Sequence, residues 1–153
     1  YESGAPSRLR AAQIAGLFIG SIVLGLPRGK EFLAPVPCTV TLDGETFPGP
    51  HRVFLAAKMD RVVFGLRPTY RAREQLGRFQ VLLANEPAST YAAQIPRLFQ
   101  GRGFTGANHI DRLVSRMEIH FESDAPYMVD GELLRGRDVT VTNGPVLDVV
   151  DLR

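Results

Sequence analysis

At 153 residues the chain is long enough for one domain with a sizeable core and too short for two ordinary ones. Hydrophobic residues make up 44% and charged residues 22%, which excludes the low-hydrophobicity, high-charge regime of disordered chains. A net charge of +2 is too small to imply a nucleic-acid partner.

From Ser7 onward, Leu9, Ile14, Leu17, Phe18, Ile22 and Leu26 recur at helical spacing, which predicts an N-terminal helix capped by Ser3 or Ser7. Ala12, Gly16 and Gly20 share one face of it, a stripe where a neighbouring backbone can approach closely. The apolar run Ile14 to Leu26 is shorter than the roughly 20 residues a bilayer crossing needs, so a packed helix is expected rather than a membrane-surface segment. The chain begins at Tyr1 with no secretory signal pattern, as expected of a piece of a longer protein.

The period changes at Pro35. Val36, Cys38, Val40 and Leu42 alternate with Pro37, Thr39 and Thr41, which predicts a strand; Asp43-Gly44-Glu45 supplies a turn, and Val53 to Ala57 reads as the returning strand of a hairpin. The lone Cys38 has no second thiol to pair with and points to a reducing compartment. Val62 to Leu66 and Arg78 to Leu83 are further strand candidates, separated by a proline-interrupted basic loop. A helix is predicted next, capped by Ser89 or Thr90, with Ala92, Ile95, Leu98 and Phe99 on its apolar side and Gly101-Arg102-Gly103 at its end.

Ile110 to Phe121 reads as one long strand with His120 turned to solvent. Asp130-Gly131-Glu132 forms a second turn, followed by two short closing strands, Asp138 to Thr142 and Pro145 to Val150. Frequent strands, proline and glycine punctuation and only two helical patterns predict a mainly β, antiparallel β-sandwich with an N-terminal helix and one further peripheral helix, as a single domain over residues 1–153.

Phosphate-loop, dinucleotide-binding, zinc-protease and nucleophile-elbow motifs are all missing from the sequence. The chemistry-bearing pattern is the pair of carboxylates around a turn glycine, and it occurs twice, so the tripeptide alone is not specific. His109 follows a glycine-rich turn with no ligand partners nearby and reads as structural or exposed.

Context singles out the second copy. The order Glu118-Ile119-His120-Phe121-Glu122-Ser123, Asp124-Ala125-Pro126, Val129-Asp130-Gly131-Glu132 and closing strands resembles the C-terminal part of the diacylglycerol kinase-like lipid kinases, a group that includes the sphingosine kinases. The helix before the first strand, Phe64-Gly65 before Pro68, the strand after Gly77 and the glycine before the long strand extend the resemblance over most of the chain.

It implies an acceptor-side β-sandwich, with the nucleotide phosphates held by an N-terminal domain carrying a Gly-Gly-Asp-Gly-Thr motif that this chain lacks. It further implies ATP- and Mg²⁺-dependent phosphoryl transfer to a lipid hydroxyl such as that of diacylglycerol, with Glu132 as catalytic base and Asp130 orienting it or helping to hold a metal. The fragment alone is expected to be inactive. The family's Asp-Gly-Leu metal loop corresponds to Leu76-Gly77-Arg78, where leucine offers no side-chain oxygen and Arg78 repels a cation, so no metal site is expected there.

A non-catalytic β-sandwich interaction module and a kinase of a soluble substrate on an NAD kinase-like architecture stay open beside this reading. For partners, the expectations are a lipid substrate, no nucleic acid, and a homodimer formed through surface the missing domain would cover. The expected location is the cytoplasm, peripheral to the membrane. Arg61, Arg67, Arg71, Arg73 and Arg78 are either attracted to anionic headgroups or form a solvated loop partly offset by Asp60 and Glu74.

Overall fold

The computed structural model describes residues 34–61, 66–130 and 132–144. The expected N-terminal helix, residues 62–65 of the strand candidate Val62 to Leu66 and the closing strand Pro145 to Val150 lie outside these residues, and Leu66 is not in a strand. Strands β1 (Cys38–Leu42), β2 (Glu45–Pro48), β3 (Val53–Ala57) and β4 (Phe79–Ala84) come first, followed by helix α1 (Ala88–Phe99). Strands β5 (His109–Val114), β6 (Arg116–Val129) and β7 (Glu132–Thr142) complete the described chain. They form two antiparallel sheets, ordered β2-β1-β6-β7 and β3-β4-β5. The predicted mainly β sandwich is the observed architecture.

Alternation builds the core. Cys38, Val40 and Leu42 of β1 and Met117, Ile119 and Phe121 of β6 point inward, while Thr39, Thr41, Glu118 and His120 face out. They meet Phe79, Val81 and Leu83 of β4 and Val114 of β5. Strand β4 is buried along its whole length, because its other face, Leu82 and Ala84, packs under Phe104 and Tyr91. Helix α1 and the loop after it therefore form a third layer on the smaller sheet. Buried Cys38 belongs to the core between the sheets, where desolvation raises its thiol pKa to about 11 and leaves it unreactive.

Three local expectations are corrected. The first hairpin closes with β2, not with Val53 to Ala57: β1 pairs residue by residue with Glu45–Pro48, and β3 crosses to the other sheet. Ile110 to Phe121 is two strands, β5 in one sheet and β6 in the other, separated at Ser115. Helix α1 starts after Pro87, whose φ of −59° suits a helix entry, so Ser89 and Thr90 lie inside the first turn and neither caps it. Phe99 is half exposed, whereas Gln94 is buried, with its side-chain amide bonded to Thr105 in both directions.

The break at Ser115 has a clear physical cause. Asp43 sits in the β1–β2 turn with φ +47°, next to Gly44 at +92°, the paired positive dihedrals that a two-residue hairpin turn of matching twist requires. Its carboxylate accepts hydrogen bonds from the Ser115 amide at 3.0 Å, the Ser115 hydroxyl at 2.7 Å and the Arg116 amide at 2.9 Å. Backbone donors that leave one ladder before joining the next are thus satisfied by a side chain. Arg78 closes the corner by donating to Asp43 at 3.2 Å and to the Leu113 carbonyl at 2.9 Å. These hydrogen bonds, the Ser115 hydroxyl foremost, hold the Asp43 carboxyl below its usual pKa.

Fully buried Leu83 lies between the two sheets, so Leu83→Ala should cost about 2–5 kcal/mol in denaturant unfolding through lost transfer energy and a residual cavity. A second prediction concerns His51, which is buried, with Nε2 lacking a partner among the described residues and its pKa pushed below 6.5 by desolvation. The unfolded chain then binds the proton more readily than the folded one. His51 should therefore contribute stability that is fully present above pH 6.5 and is lost progressively as the pH falls from there through its depressed folded pKa. Unfolding of His51→Phe should show a shallower pH dependence across that range.

Candidate functional site

Strands β6 and β7 make the longest pairing among the described residues. From Arg116↔Thr142 to His120↔Asp138 the register is regular; after a bulge between His120 and Ala125 it resumes at Ala125↔Gly136 and runs to Val129↔Glu132. Strand β7 thus begins at Glu132, directly after the turn, six residues before the closing strand expected at Asp138. Ala125 still packs against the core between the sheets. Beyond it the strands extend as an arm, on which Met128, Val129, Leu133 and Leu134 are 68%, 49%, 71% and 41% exposed.

Both sequence-predicted site residues lie at the end of this arm. Asp130 carries φ +48°, a left-handed conformation that aspartate tolerates better than most residues. Glu132 is the first residue of β7, and both side chains are exposed. No hydrogen bond or ion pair holds either carboxylate among the described residues, and neither lines a described groove. The structure thus brings the two acids together at one tip, free of competing partners.

The other Asp-Gly-Glu has the opposite fate. Asp43 is consumed by Ser115, Arg116 and Arg78, and Glu45 pairs with Arg112, whose guanidinium also lies 5.0 Å from the centre of the Phe47 ring. Identical tripeptides therefore do different jobs: one clasps a corner of the fold and one presents unpaired acids.

Two features secure the arm. Arg135 bonds the Asp124 carboxylate at 3.0 Å across the bulge. The Tyr127 ring packs beside Gly136, where an added side-chain carbon would stand in ordinary contact with it at 3.5 Å. Residues paired across the ladder share a face, so Glu132, Val129, Leu134 and Tyr127 occupy one face of the arm and Met128 and Leu133 the other. Sequence reasoning overlooked these apolar residues. The available signal was the loss of alternation, since Tyr127-Met128-Val129 and Leu133-Leu134 are apolar at every position around the turn.

The remaining candidates resolve into structural roles. Arg67 and Arg73 both pair with Asp60, at 3.2 and 3.7 Å, Arg71 pairs with Glu74 at 3.0 Å and Arg78 with Asp43 at 3.2 Å, so four of the five basic-loop arginines are internally paired. At Leu76-Gly77-Arg78, Leu76 is fully exposed, Gly77 adopts φ +74° with its carbonyl bonded by Asn143, and Arg78 serves the Asp43 corner. His109 donates its Nδ1–H to the Gly106 carbonyl at 2.8 Å and stands edge-on to Phe104.

On the outer face of the larger sheet a shallow groove of about 270 Å³ is lined by Thr39, Thr41, Glu118, His120, Asp138 and Thr140. His120 is exposed there, as predicted, and its Nδ1 is 2.6 Å from Asp138. No group of three metal-ligating side chains occurs among the described residues.

The sequence matches no protein-family model and no curated protein. Solved structures do resemble the fold. A diacylglycerol kinase from Bacillus anthracis str. Sterne aligns with a TM-score of 0.52 at 10% identity over 82% of this chain and 43% of its own length. Two further structures from that strain, assigned as diacylglycerol kinases, align with TM-scores of 0.62 and 0.60, both at 14% identity, over 90% and 82% of this chain and 46% and 41% of their own. Identities this low establish a shared fold. The chain spans less than half the length of these structures.

The contrast between the two tripeptides is testable by unfolding. Asp43→Ala should lower stability by about 1–2 kcal/mol, towards the low end for a carboxylate that is partly solvated, whereas Asp130→Asn should change it by less than about 0.5 kcal/mol.

Proposed function

We propose that this chain is the acceptor-side domain of an ATP-dependent lipid kinase, in which Glu132 takes the proton from the lipid hydroxyl that receives the phosphoryl group. The observation that carries the reading is the unpartnered Glu132 carboxylate at the end of a braced hairpin, on a fold shared with solved diacylglycerol kinases. A carboxylate with no internal cation to satisfy keeps its lone pairs for a substrate. A backbone held in a ladder limits how far that group wanders.

In this reading the acceptor O–H approaches Glu132, its proton passes to a carboxylate oxygen, and the acceptor oxygen bonds to the transferred phosphorus. Asp130, two residues away at the same turn, orients the glutamate or adds negative charge towards a metal. The phosphoryl donor ATP supplies the leaving group, and Mg²⁺ supplies charge neutralisation on its phosphates. Asp130 and Glu132 provide only two carboxylates, and the described residues do not by themselves fit a Mg²⁺-nucleotide. Donor binding therefore falls to a nucleotide-binding domain, in keeping with the share of the solved kinases that this chain spans.

Access to a lipid acceptor also bears on location. A lipid hydroxyl is reached from the bilayer surface, so the reading places the protein at the membrane periphery on the cytoplasmic side; separately, no described helix is long and apolar enough to cross a membrane. Because four of the basic-loop arginines are already paired, attraction to anionic headgroups through that loop is weaker than their number suggests.

The decisive variant is Glu132→Gln in the complete polypeptide. Turnover should fall about 10²–10⁴-fold, the usual contribution of a positioned base. Far-ultraviolet circular dichroism and the unfolding midpoint should stay unchanged, because Glu132 has no described partner to lose. Full turnover by the folded variant would remove Glu132 from the mechanism.

A further inference from the structure

We infer that the acceptor's hydrocarbon chain lies along the face of the arm that carries Glu132, with Tyr127, Val129 and Leu134 reading its length. This rests on the kinase reading above and adds which residues choose the acceptor. The ladder pairs Val129 with Glu132 and Tyr127 with Leu134, and it continues to Ala125 with Gly136. All six therefore share one face, and Glu132 is the single charge on it. The strip begins at that carboxylate and ends at Ala125, where the arm meets the core. From residue 132 to residue 136 it runs about 13 Å at roughly 3.3 Å per residue.

Its polarity complements one class of molecule: an amphiphile with a hydroxyl at one end and an uncharged chain behind it. Exposure separates the two faces of the arm. Val129 and Leu134 are 49% and 41% exposed, against 68% and 71% for Met128 and Leu133. The Tyr127 ring packs beside Gly136 on this face and makes the strip continuous between Leu134 and Ala125. A soluble polar acceptor would have no use for this surface. Insertion of the whole arm tip into a bilayer is disfavoured, because Asp130 and Glu132 would enter first.

The test is a nuclear magnetic resonance titration of this chain with mono-octanoylglycerol below its micelle concentration, with mono-butanoylglycerol and glycerol as shorter probes. Amide shifts should centre on Tyr127, Val129, Glu132 and Leu134, and affinity should rise about twofold per added methylene, half the gain of full burial. Val129→Thr and Leu134→Ser should each weaken octanoylglycerol binding about threefold or more, while Met128→Ser and Leu133→Ser leave it within about twofold.

Glu132→Gln should also bind the probe within about twofold, since the chain and not the carboxylate carries the affinity. This measurement is thus independent of the turnover test: a failed base role leaves chain binding intact, and a failed strip leaves the base role intact. Equal binding of glycerol, equal losses from variants on the two faces, or arm shifts that follow protein concentration instead of lipid would each overturn the inference. The last result would assign the strip to a second copy of the chain.

Discussion

At the corner between Val114 and Arg116 the chain passes from one sheet to the other, and a single carboxylate makes the passage possible. A strand that leaves its ladder exposes amides that must find acceptors, and Asp43 accepts from both Ser115 and Arg116. Arg78, just before β4, reaches the same carboxylate and the Leu113 carbonyl, while Arg112 of β5 pairs with Glu45 of β2. Elements from both sheets are therefore clasped at one point. The inward faces of β1, β6 and β4 can then close on a common core without an unsatisfied seam.

The direction of the arm follows from that corner. Once β6 leaves Ser115 in register with β1, its inward residues are fixed as Met117, Ile119 and Phe121, and its length carries it past the core at Ala125. The bulge after His120 changes the pairing with β7, so that Gly136 lies against Tyr127 and Glu132 emerges beside Val129. A glutamate at the end of a two-stranded ladder is held more firmly than one on a loop, yet it stands in solvent. Asp130 and Glu132 thus stand exposed at the end of the ladder without a partner among the described residues.

Chemically, the two Asp-Gly-Glu turns separate a paired from an unpaired state of one tripeptide. Where arginines and free amides converge, the carboxylates are spent on the fold. Where only apolar residues surround the turn, they remain available. The same logic removes most of the apparent positive patch, whose arginines find Asp60, Glu74 and Asp43 within the domain. What remains distinctive among the described residues is an acidic tip on an apolar arm, the feature on which the proposed acceptor site rests.

Period-two alternation in Cys38 to Leu42 and Met117 to Phe121, the helical spacing after Pro87 and the two glycine turns were legible in the sequence, because strand faces, helix faces and tight turns are set by contacts between near neighbours. They sufficed for an antiparallel sandwich with a peripheral helix and for the acidic turn at residues 130–132. The sequence could not reveal that Ser115 divides one apparent strand into two, since its partner Asp43 lies 72 residues away. Nor could it assign β3 to the second sheet, or tell which Asp-Gly-Glu stays unpaired. Those outcomes depend on which distant side chains meet after the sheets have packed, and only the tertiary structure decided them.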